Sequence, residues 1–539
     1  MSTPDRHNGL QYLPAIPFET VLTYVDLESI KALRLTNRTL AEKCIGPRFL
    51  KSIEHPTLDF SLQKIRNLLV LTRDHVISQK VRSLAFFATT IDSSRLEKSI
   101  ISGKYIERVS FGFRQSYEKT KEVYTPEGLS NAKSDLIWLK EQEEARDKES
   151  SSETIQLLQL VFKRFENLQS IHLDGAVIYR RTDRGYPSNG KWYSFWLRAW
   201  HVFTMVMTAM VQTGVSMKKL NFYRGTRRCC IPAGKITAYA SGLSQTELEV
   251  LCKGLQSLEL SISGEISDAF GLAKADPPWE WDEEEPPVRP SGSPMEHLFS
   301  GDDPRAALAD GTPGITSLFL KNAFDLRELS LTFRRTVPPG SSLMNSYDGI
   351  IHSIAHDTRF PMLESCSFAG FPAKMDSILL FLKNHSNLRS FTLHECYLTT
   401  GSWTPIFAHL DRSMPRLENL SFSNLFGKHM QNLRYAQPLR NFGESSDNEQ
   451  EQQSHPLIGE REGVGMVVLL PIWDTDEPEH QKEFLRMNGR AVHTRTFTRD
   501  ELKKGLVFRP LHPDGGRPLG SPHYTNWYHR REDQYGLLK

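Results

Sequence analysis

The sequence lacks a long hydrophobic run and an excess of charge of one sign. The longest apolar stretch, Trp196 to Val215, is interrupted by Arg198, His201 and Gln212. A membrane-spanning helix needs about 20 predominantly apolar residues, so we interpret this stretch as a buried helix. Lys and Arg number 66 against 64 for Asp and Glu, a net charge of +2. So neutral a chain has no overall field for nucleic acid or an acidic membrane, and we expect neither as a partner.

An export signal and a cysteine framework are also missing. The residues from Met1 to Gln11 are polar and contain no apolar signal core, so we expect the protein in the cytoplasm or nucleus. Its six cysteines should then be reduced, and none forms a C-x-x-C pair, which argues against zinc. The adjacent Cys229 and Cys230 leave two interpretations open. They are a redox-active pair, or, as we favour, two buried thiols that are neighbours by chance.

Catalytic motifs are absent as well. The sequence contains no H-E-x-x-H, G-x-S-x-G, G-x-x-x-x-G-K-[ST] or G-x-G-x-x-G, the spacings that metalloproteases, hydrolases and nucleotide-binding enzymes use. His394, Glu395 and Cys396 combine the side-chain types of base and nucleophile. Adjacent residues of a strand point to opposite faces, which favours a strand end that runs into a turn. We therefore expect no enzyme, with no catalytic residue, cofactor or metal.

The first fifty residues are rich in helix signals. Pro17 suits the first turn of a helix, where its missing N–H costs nothing. Val21, Leu22 and Val25 supply an apolar face. Three short helices with so little apolar surface make a marginal domain, which needs a partner or the next domain for support.

A six-residue pattern, apolar-x-x-apolar-x-apolar, recurs downstream, and its last two apolar residues alternate with polar ones as in a half-buried strand. At 39% apolar content the pattern alone also occurs by chance. Its context is more specific, because the last four starts lie 37, 25 and 29 residues apart, near the period of about 20–29 residues of leucine-rich repeats. The nine segments are VRSLAF (from Val81), IERVSF (Ile106), LQSIHL (Leu168), MKKLNF (Met217), LQSLEL (Leu255), LRELSL (Leu326), LESCSF (Leu363), LRSFTL (Leu388) and LENLSF (Leu417).

Helical segments such as MDSILLFLKN (from Met375) precede several of these strands, which predicts a leucine-rich-repeat solenoid over residues 56–435. The alternation places two sets of residues on opposite faces of one shared sheet. We expect a buried set of Leu258, Leu260, Leu329, Leu331, Leu393 and Leu420, and a solvent-facing set of Glu259, Ser330, Thr392 and Ser421.

Three segments interrupt this organisation. Residues 140–153 are highly charged, and residues 275–294 hold paired prolines around an acidic run; we expect both to be loop insertions. Residues 436–539 form a tail. We expect its first part to be disordered and to be followed by a strand-like apolar run from Gly465 to Trp473. We assign this tail no role.

The first fifty residues resemble an F-box, the motif by which substrate receptors dock on the Skp adaptor of cullin–RING ubiquitin ligases. One departure is Ile16-Pro17, which stands where F-boxes usually continue with glutamate and isoleucine. The downstream chain resembles the leucine-rich receptors of filamentous fungi, most closely over Asn384 to Phe422. The matching F-box residues are Leu13-Pro14, Val21-Leu22, Tyr24-Val25-Asp26, Leu27, Leu33-Arg34-Leu35-Thr36-Asn37-Arg38 and Phe49.

The resemblance implies an α/β fold class: a small all-α F-box-like module at residues 10–55, followed by an irregular leucine-rich-repeat solenoid with insertions and a partly disordered C-terminal tail. It implies a non-catalytic receptor that docks on a Skp-type adaptor, and through it on a cullin, and holds an unknown target protein by proximity. The alternative is a leucine-rich-repeat scaffold without adaptor docking. The expected adaptor-binding residues are Leu13, Pro14, Ile16, Pro17, Val21, Leu22, Val25 and Leu33.

Basic residues follow two of the expected strands. In a parallel array the carboxyl ends of the strands lie along one rim, so these arginines would converge. Arginine forks bind carboxylate and phosphate, and such a rim would read an acidic or phosphorylated target segment. Solvated loop charges, paired with the acidic residues 282–285, are the alternative. The arginines are Arg224, Arg227, Arg228, Arg334 and Arg335.

Overall fold

The protein is an α/β molecule with two sheets and a hairpin, seen in a computed structural model. The structure describes residues 10–25, 27–45, 49, 53–111, 116–185, 192–224, 229–264, 313–334, 345–423, 425–427, 431–435, 465–468, 494–503 and 506–510.

Its helices are α1 (Ala15–Thr23), α2 (Leu27–Thr36), α3 (Arg38–Lys43), α4 (Leu62–Leu71), α5 (His75–Lys80), α6 (Ser94–Ser102), α7 (Pro126–Asp147), α8 (Ser151–Arg164), α9 (Trp192–Thr213), α10 (Ala233–Ser241), α11 (Gln245–Cys252), α12 (Asp348–Asp357), α13 (Met375–Asn384), α14 (Thr404–Ser413) and α15 (Arg499–Leu502), with a π-helical turn at Thr316–Leu320 and a 3₁₀ turn at Leu10–Tyr12.

Its strands are β1 (Thr57–Asp59), β2 (Ser83–Ile91), β3 (Lys104–Phe111), β4 (Ser116–Val123), β5 (Ser170–Ile178), β6 (Arg184–Gly185), β7 (Lys219–Phe222), β8 (Ile231–Pro232), β9 (Ser257–Ser263), β10 (Glu328–Arg334), β11 (Ser365–Ala369), β12 (Pro372–Lys374), β13 (Ser390–His394), β14 (Tyr397–Thr400), β15 (Asn419–Ser423), β16 (Phe426–Gly427), β17 (Gln431–Tyr435), β18 (Gly465–Val468), β19 (Thr494–Thr498) and β20 (Leu506–Pro510).

Side-chain caps fix where many helices begin. Ser61 accepts a hydrogen bond from the Lys64 N–H at the start of α4, and Ser150 does the same for α8. Ser244 and Glu247 form a reciprocal capping box at α11. Each cap satisfies a backbone donor that the first turn of a helix leaves without an internal partner. Local sequence therefore sets these boundaries.

The large sheet has twelve strands, and its main path runs in the order β1-β2-β5-β7-β9-β10-β11-β13-β15-β19. From β1 to β15 every neighbouring pair on this path is parallel. Strand β19 closes the path antiparallel to β15, while β6 and β8 pair with β5 and β9 off the path. A six-stranded sheet (β12-β14-β16-β18-β17-β20) and the β3-β4 hairpin complete the fold.

The expectation of a leucine-rich-repeat solenoid is wrong. The structure is a mixed α/β fold built on a large, mostly parallel sheet. The helices between its strands differ in length, from 6 residues in α5 to 22 in α9, and β6 and β19 are antiparallel to their neighbours. The hexamer pattern reports only that alternate residues of a strand are buried, which any sheet with one apolar face produces.

The strands themselves are predicted well. Eight of the nine hexamer segments lie in the large sheet, and the ninth, from Ile106, lies in β3. All six leucines of the expected buried set are 0–2% exposed in the main core. Of the opposite set, Glu259, Thr392 and Ser421 are partly exposed, whereas Ser330 is buried.

The N-terminal helices do not form a clearly separate all-α module, which corrects a second expectation. Their buried residues make a small group, the N-terminal cluster: Phe18, Leu22, Ile30, Leu40, Cys44 and Phe49. Ile53 packs on this cluster, and the next carbonyl, that of Glu54, accepts hydrogen bonds from the Arg82 and Ser83 N–H groups. The N-terminal helices are therefore linked directly to the large sheet through residues 53 and 54.

The expected insertions have different outcomes. Residues 140–147 are the end of α7 and residues 151–153 the start of α8, so most of the expected loop at 140–153 is helical. The loop at 275–294 lies outside the described residues, as does most of the tail. Within the tail, β18 confirms a strand in the apolar run from Gly465, and β19 joins the large sheet.

The apolar stretch from Trp196 forms most of α9, and its central residues are buried in the main core, as expected. No helix in the described part of the chain is long and apolar enough to cross a membrane.

Candidate binding surfaces

Helix α1 has two unlike faces. Phe18 and Leu22, four residues apart, are buried in the N-terminal cluster. Ile16, Thr20 and Tyr24 follow the same spacing on the opposite side, where Ile16 is 82% and Tyr24 88% exposed. Residues three or four apart lie on one side of a helix. We call Ile16 and Thr20, together with Tyr24, the residue that caps the C-terminal end of the helix, the outer stripe of α1.

The structure divides the expected adaptor-binding residues into three groups. Pro14, Ile16 and Pro17 are exposed at the start of α1. Leu13, Val25 and Leu33 are half-buried against the N-terminal cluster, and Val21 is also half-buried. Leu22 is 0% exposed, so it holds the cluster together and is not available to a partner.

Pro17 does not shorten α1. The helix begins two residues earlier, at Ala15, and the Phe18 N–H donates to the Pro14 carbonyl at 3.0 Å. Pro17 is thus the third residue of the helix, where the backbone N–H has no helical partner and its loss is tolerated. The departure from the F-box pattern therefore leaves the helix intact.

Two further large apolar side chains of the N-terminal segment are highly exposed. Tyr24 and Leu35, each 88% exposed, were not among the expected adaptor contacts. The eight-residue interval from Ile16 to Tyr24 was the available signal for Tyr24. Leu35 lies on α2, and its place among the residues that match the F-box pattern was the available signal.

A second candidate surface is the polar face of the large sheet. Register aligns one residue from each strand into rows across it, and most residues of two successive rows are polar. The first row is Ser83, Ser170, Lys219, Ser257, Glu328, Ser365, Ser390, Asn419 and Thr498. The second row is Ala85, His172, Asn221, Glu259, Ser330, Ser367, Thr392, Ser421 and Thr496.

Charged and neutral residues occupy different halves of the second row. Glu259 accepts a hydrogen bond from Asn221 at 2.8 Å and pairs with Arg224 at 2.7 Å. On β5, which lies beside β7, burial lowers the pKa of His172, against the opposing effect of Asp174 and Glu259. From β10 onward the second row carries only hydroxyls. The second row thus carries the charge of Glu259 before β10 and uncharged hydroxyls after it, whereas the first row still carries Glu328 on β10.

The expected arginine rim is not assembled as one exposed surface. Arg224 follows β7, is exposed and pairs with Glu259. Arg334 ends β10 and is only 2% exposed, near enough to the Cys230 thiol to act on its pKa, so its placement on a solvated rim is wrong. Arg227, Arg228 and Arg335 lie outside the described residues.

The described residues give no support to redox or metal chemistry as an alternative. Cys229 and Cys230 are buried thiols outside any disulfide, and burial raises the pKa of both, which disfavours the reactive thiolate. Glu395 has a φ of 51°, and β13 ends at His394, so this segment is the expected strand end entering a turn. Within the described ranges, no three His, Cys, Asp or Glu side chains are grouped to hold a metal ion.

The path of the large sheet also bears on small-molecule binding. Open parallel sheets bind nucleotides in the crevice where the strand order reverses. From β1 to β15 the order follows the chain without reversal.

Comparisons with known proteins add no further assignment, since no protein-family model and no curated protein matches this chain.

Proposed function

We propose that this protein is a non-catalytic receptor that docks through its N-terminal helices on a Skp-type adaptor, and through it on a cullin, in the cytoplasm or nucleus. The polar face of the large sheet would hold a target protein for ubiquitin transfer by other subunits. Tethering raises the local concentration of the target near the transferase, so no covalent step on this chain is required.

The observation that carries the proposal is the exposure of the outer stripe of α1. Ile16 and Tyr24 expose more than four fifths of their surface, although Phe18 and Leu22 on the same helix are fully buried. Apolar side chains of this size usually account for much of the affinity when a partner covers them. The stripe lies within the segment that resembles an F-box and includes Ile16, an expected adaptor contact.

Two variants test the docking. In Ile16→Asp and Tyr24→Asp, a charge enters the proposed interface without touching the N-terminal cluster. We expect either change to weaken the affinity of the full chain for a purified Skp-type adaptor at least tenfold, since burying an unpaired carboxylate opposes binding. Affinity is measured by titration with labelled adaptor.

Ile101→Asp is the matched control. Ile101, on α6, is 86% exposed, close to the value for Ile16, and lies outside the N-terminal helices. Its replacement should leave adaptor binding unchanged. Equal binding by parent, Ile16→Asp and Tyr24→Asp would refute docking through α1. A folded parent that does not bind the adaptor would instead support a protein-binding scaffold without adaptor docking.

A further inference from the structure

Strand β19 differs from every other strand on the main path of the large sheet. The strands from β1 to β15 follow one another in chain order and are parallel. Strand β19 enters antiparallel, about 70 residues after β15, and the intervening β16, β17 and β18 belong to the six-stranded sheet. The edge of β15 is therefore covered by a strand that is far from it in sequence.

Strand β19 itself contributes one buried apolar side chain, Phe497, to the main core. Of the three side chains described in β19, Phe497 is buried, while Thr496 and Thr498 are exposed. The Phe497 ring lies 6.4 Å from that of Phe422, and Thr496 pairs with Ser421 at 3.1 Å. By contrast, β13 buries both Phe391 and Leu393.

The flanking contacts of β19 lie near the surface. Arg499 pairs with Glu418 at 3.6 Å, and both side chains are more than a third exposed. Leu502 in α15 packs only partly on the main core. Exposed ion pairs add little to stability, so among the described contacts backbone pairing with β15, the burial of Phe497 and the partial burial of Leu502 hold the segment.

The edge of β15 presents backbone N–H and C=O groups to whatever strand lies beside it. Edge groups of this kind pair with any extended segment that fits, and pockets for alternate side chains supply the selectivity. Here Leu420 faces Phe497 in register, and Ser421 faces Thr496. The edge thus selects a large apolar residue flanked by residues that favour strands.

We propose that the edge of β15 is a strand-acceptor site, which β19 fills within the chain and which an extended target segment with one aromatic residue fills from outside. The ligand class is an unstructured peptide of about five residues with alternating polar and aromatic character. This inference deepens the target-binding part of the proposed function, and rests on it only in assigning the incoming strand to a target.

The test uses the full chain and a labelled peptide of residues 494–503, TRTFTRDELK. Phe497→Asp removes the side chain that holds β19 and frees the edge. We expect the peptide to bind this variant at least tenfold more tightly than it binds the parent, and a peptide with Asp in place of Phe to bind neither. Phe324→Asp is the control, because Phe324 is 62% exposed and β19 stays in place.

A folded Phe497→Asp variant that binds the peptide no better than the parent would overturn the proposal. Hydrogen exchange on the parent gives an independent result even where the variant fails to fold. We expect the amides of β19 to exchange at least tenfold faster than those of β13, and equal protection of the two strands would also overturn it. Adaptor binding by the same samples separates this outcome from the docking proposal, since Phe497→Asp leaves α1 unchanged.

Discussion

His385 is a buried histidine held in its neutral form. It is 2% exposed, its Nε2 accepts from the Phe360 N–H at 3.2 Å, and its Nδ1 donates to the Phe381 carbonyl at 2.7 Å. Burial lowers its pKa from 6.5 to about 4, against the opposing effect of the bond to Phe381. A proton added at Nε2 would remove the acceptor of the Phe360 bond.

This histidine makes stability depend on pH. Below pH 6.5 the unfolded chain takes up a proton that the folded chain does not, so the free energy of unfolding falls as the pH drops from 6.5 to about 4. Below that range both states are protonated and this loss is complete. We expect denaturant unfolding of the parent to lose about 2 kcal/mol more between pH 7 and pH 4.5 than unfolding of His385→Gln, which does not titrate. Equal losses would contradict a neutral buried His385.

Prediction of single residues from sequence was most accurate where the two-residue alternation of a strand alone decides which side chains are buried. The leucines of β9 and β10 were assigned to the core because strand alternation fixes their face. Leu22 was assigned to a partner surface, but it fills the N-terminal cluster instead. A single apolar helix face does not reveal whether the same chain or another protein covers it.

At the scale of elements, the charged run at 140–153 shows how composition misleads. Charge suggested a loop, yet α7 and α8 extend into this segment, and two of its acidic residues bind α4. Glu149 accepts the first N–H of α4, that of Leu62, at 2.7 Å, and Glu153 pairs with Arg66. Such pairings over 87 positions of sequence leave no local signal.

The contact between Glu149 and α4 should contribute to stability. We expect Glu149→Ala to lower the free energy of unfolding by about 1 kcal/mol, because a backbone donor and the positive end of the helix dipole lose their acceptor. Glu144→Ala is the control, since the Glu144 side chain pairs with Lys148 at the exposed surface, and its replacement should leave stability unchanged. Thermal and urea denaturation measure both, and equal effects of the two variants would argue against the role of Glu149.

For the whole molecule, the unequal size of the main core and the N-terminal cluster, two of the three hydrophobic clusters among the described residues, sets the order of unfolding. The main core extends through the large sheet, whereas the N-terminal cluster holds six buried residues. Local stability rises with buried apolar contact, so the N-terminal helices should open before the sheet. Their small core leaves the proposed docking segment the less stable part.

Hydrogen exchange measures this order. We expect Leu22→Asp to abolish protection of α1, α2 and α3, because a carboxylate without a partner enters their cluster, while the thermal transition of the large sheet stays in place. Leu260→Asp, in the main core, should instead lower the transition of the sheet. A single transition shared by both regions in both variants would contradict two separate cores.

The fold was predictable only in part at this scale. Alternation located eight strands of the large sheet, but strand order, the second sheet and the return of β19 depend on contacts between residues far apart in sequence. The six-residue pattern is compatible with several architectures that contain parallel strands. The unequal lengths of the helices between the strands argue against a solenoid.

The return of β19 also has a consequence for synthesis on the ribosome. Most of the large sheet can assemble in chain order as the polypeptide emerges, but β15 must wait for about 70 further residues before its edge is covered. At usual elongation rates this interval lasts on the order of 4–14 seconds. During that time the nascent chain displays an open strand edge, and molecular chaperones or neighbouring nascent chains compete for it before the protein's own tail arrives.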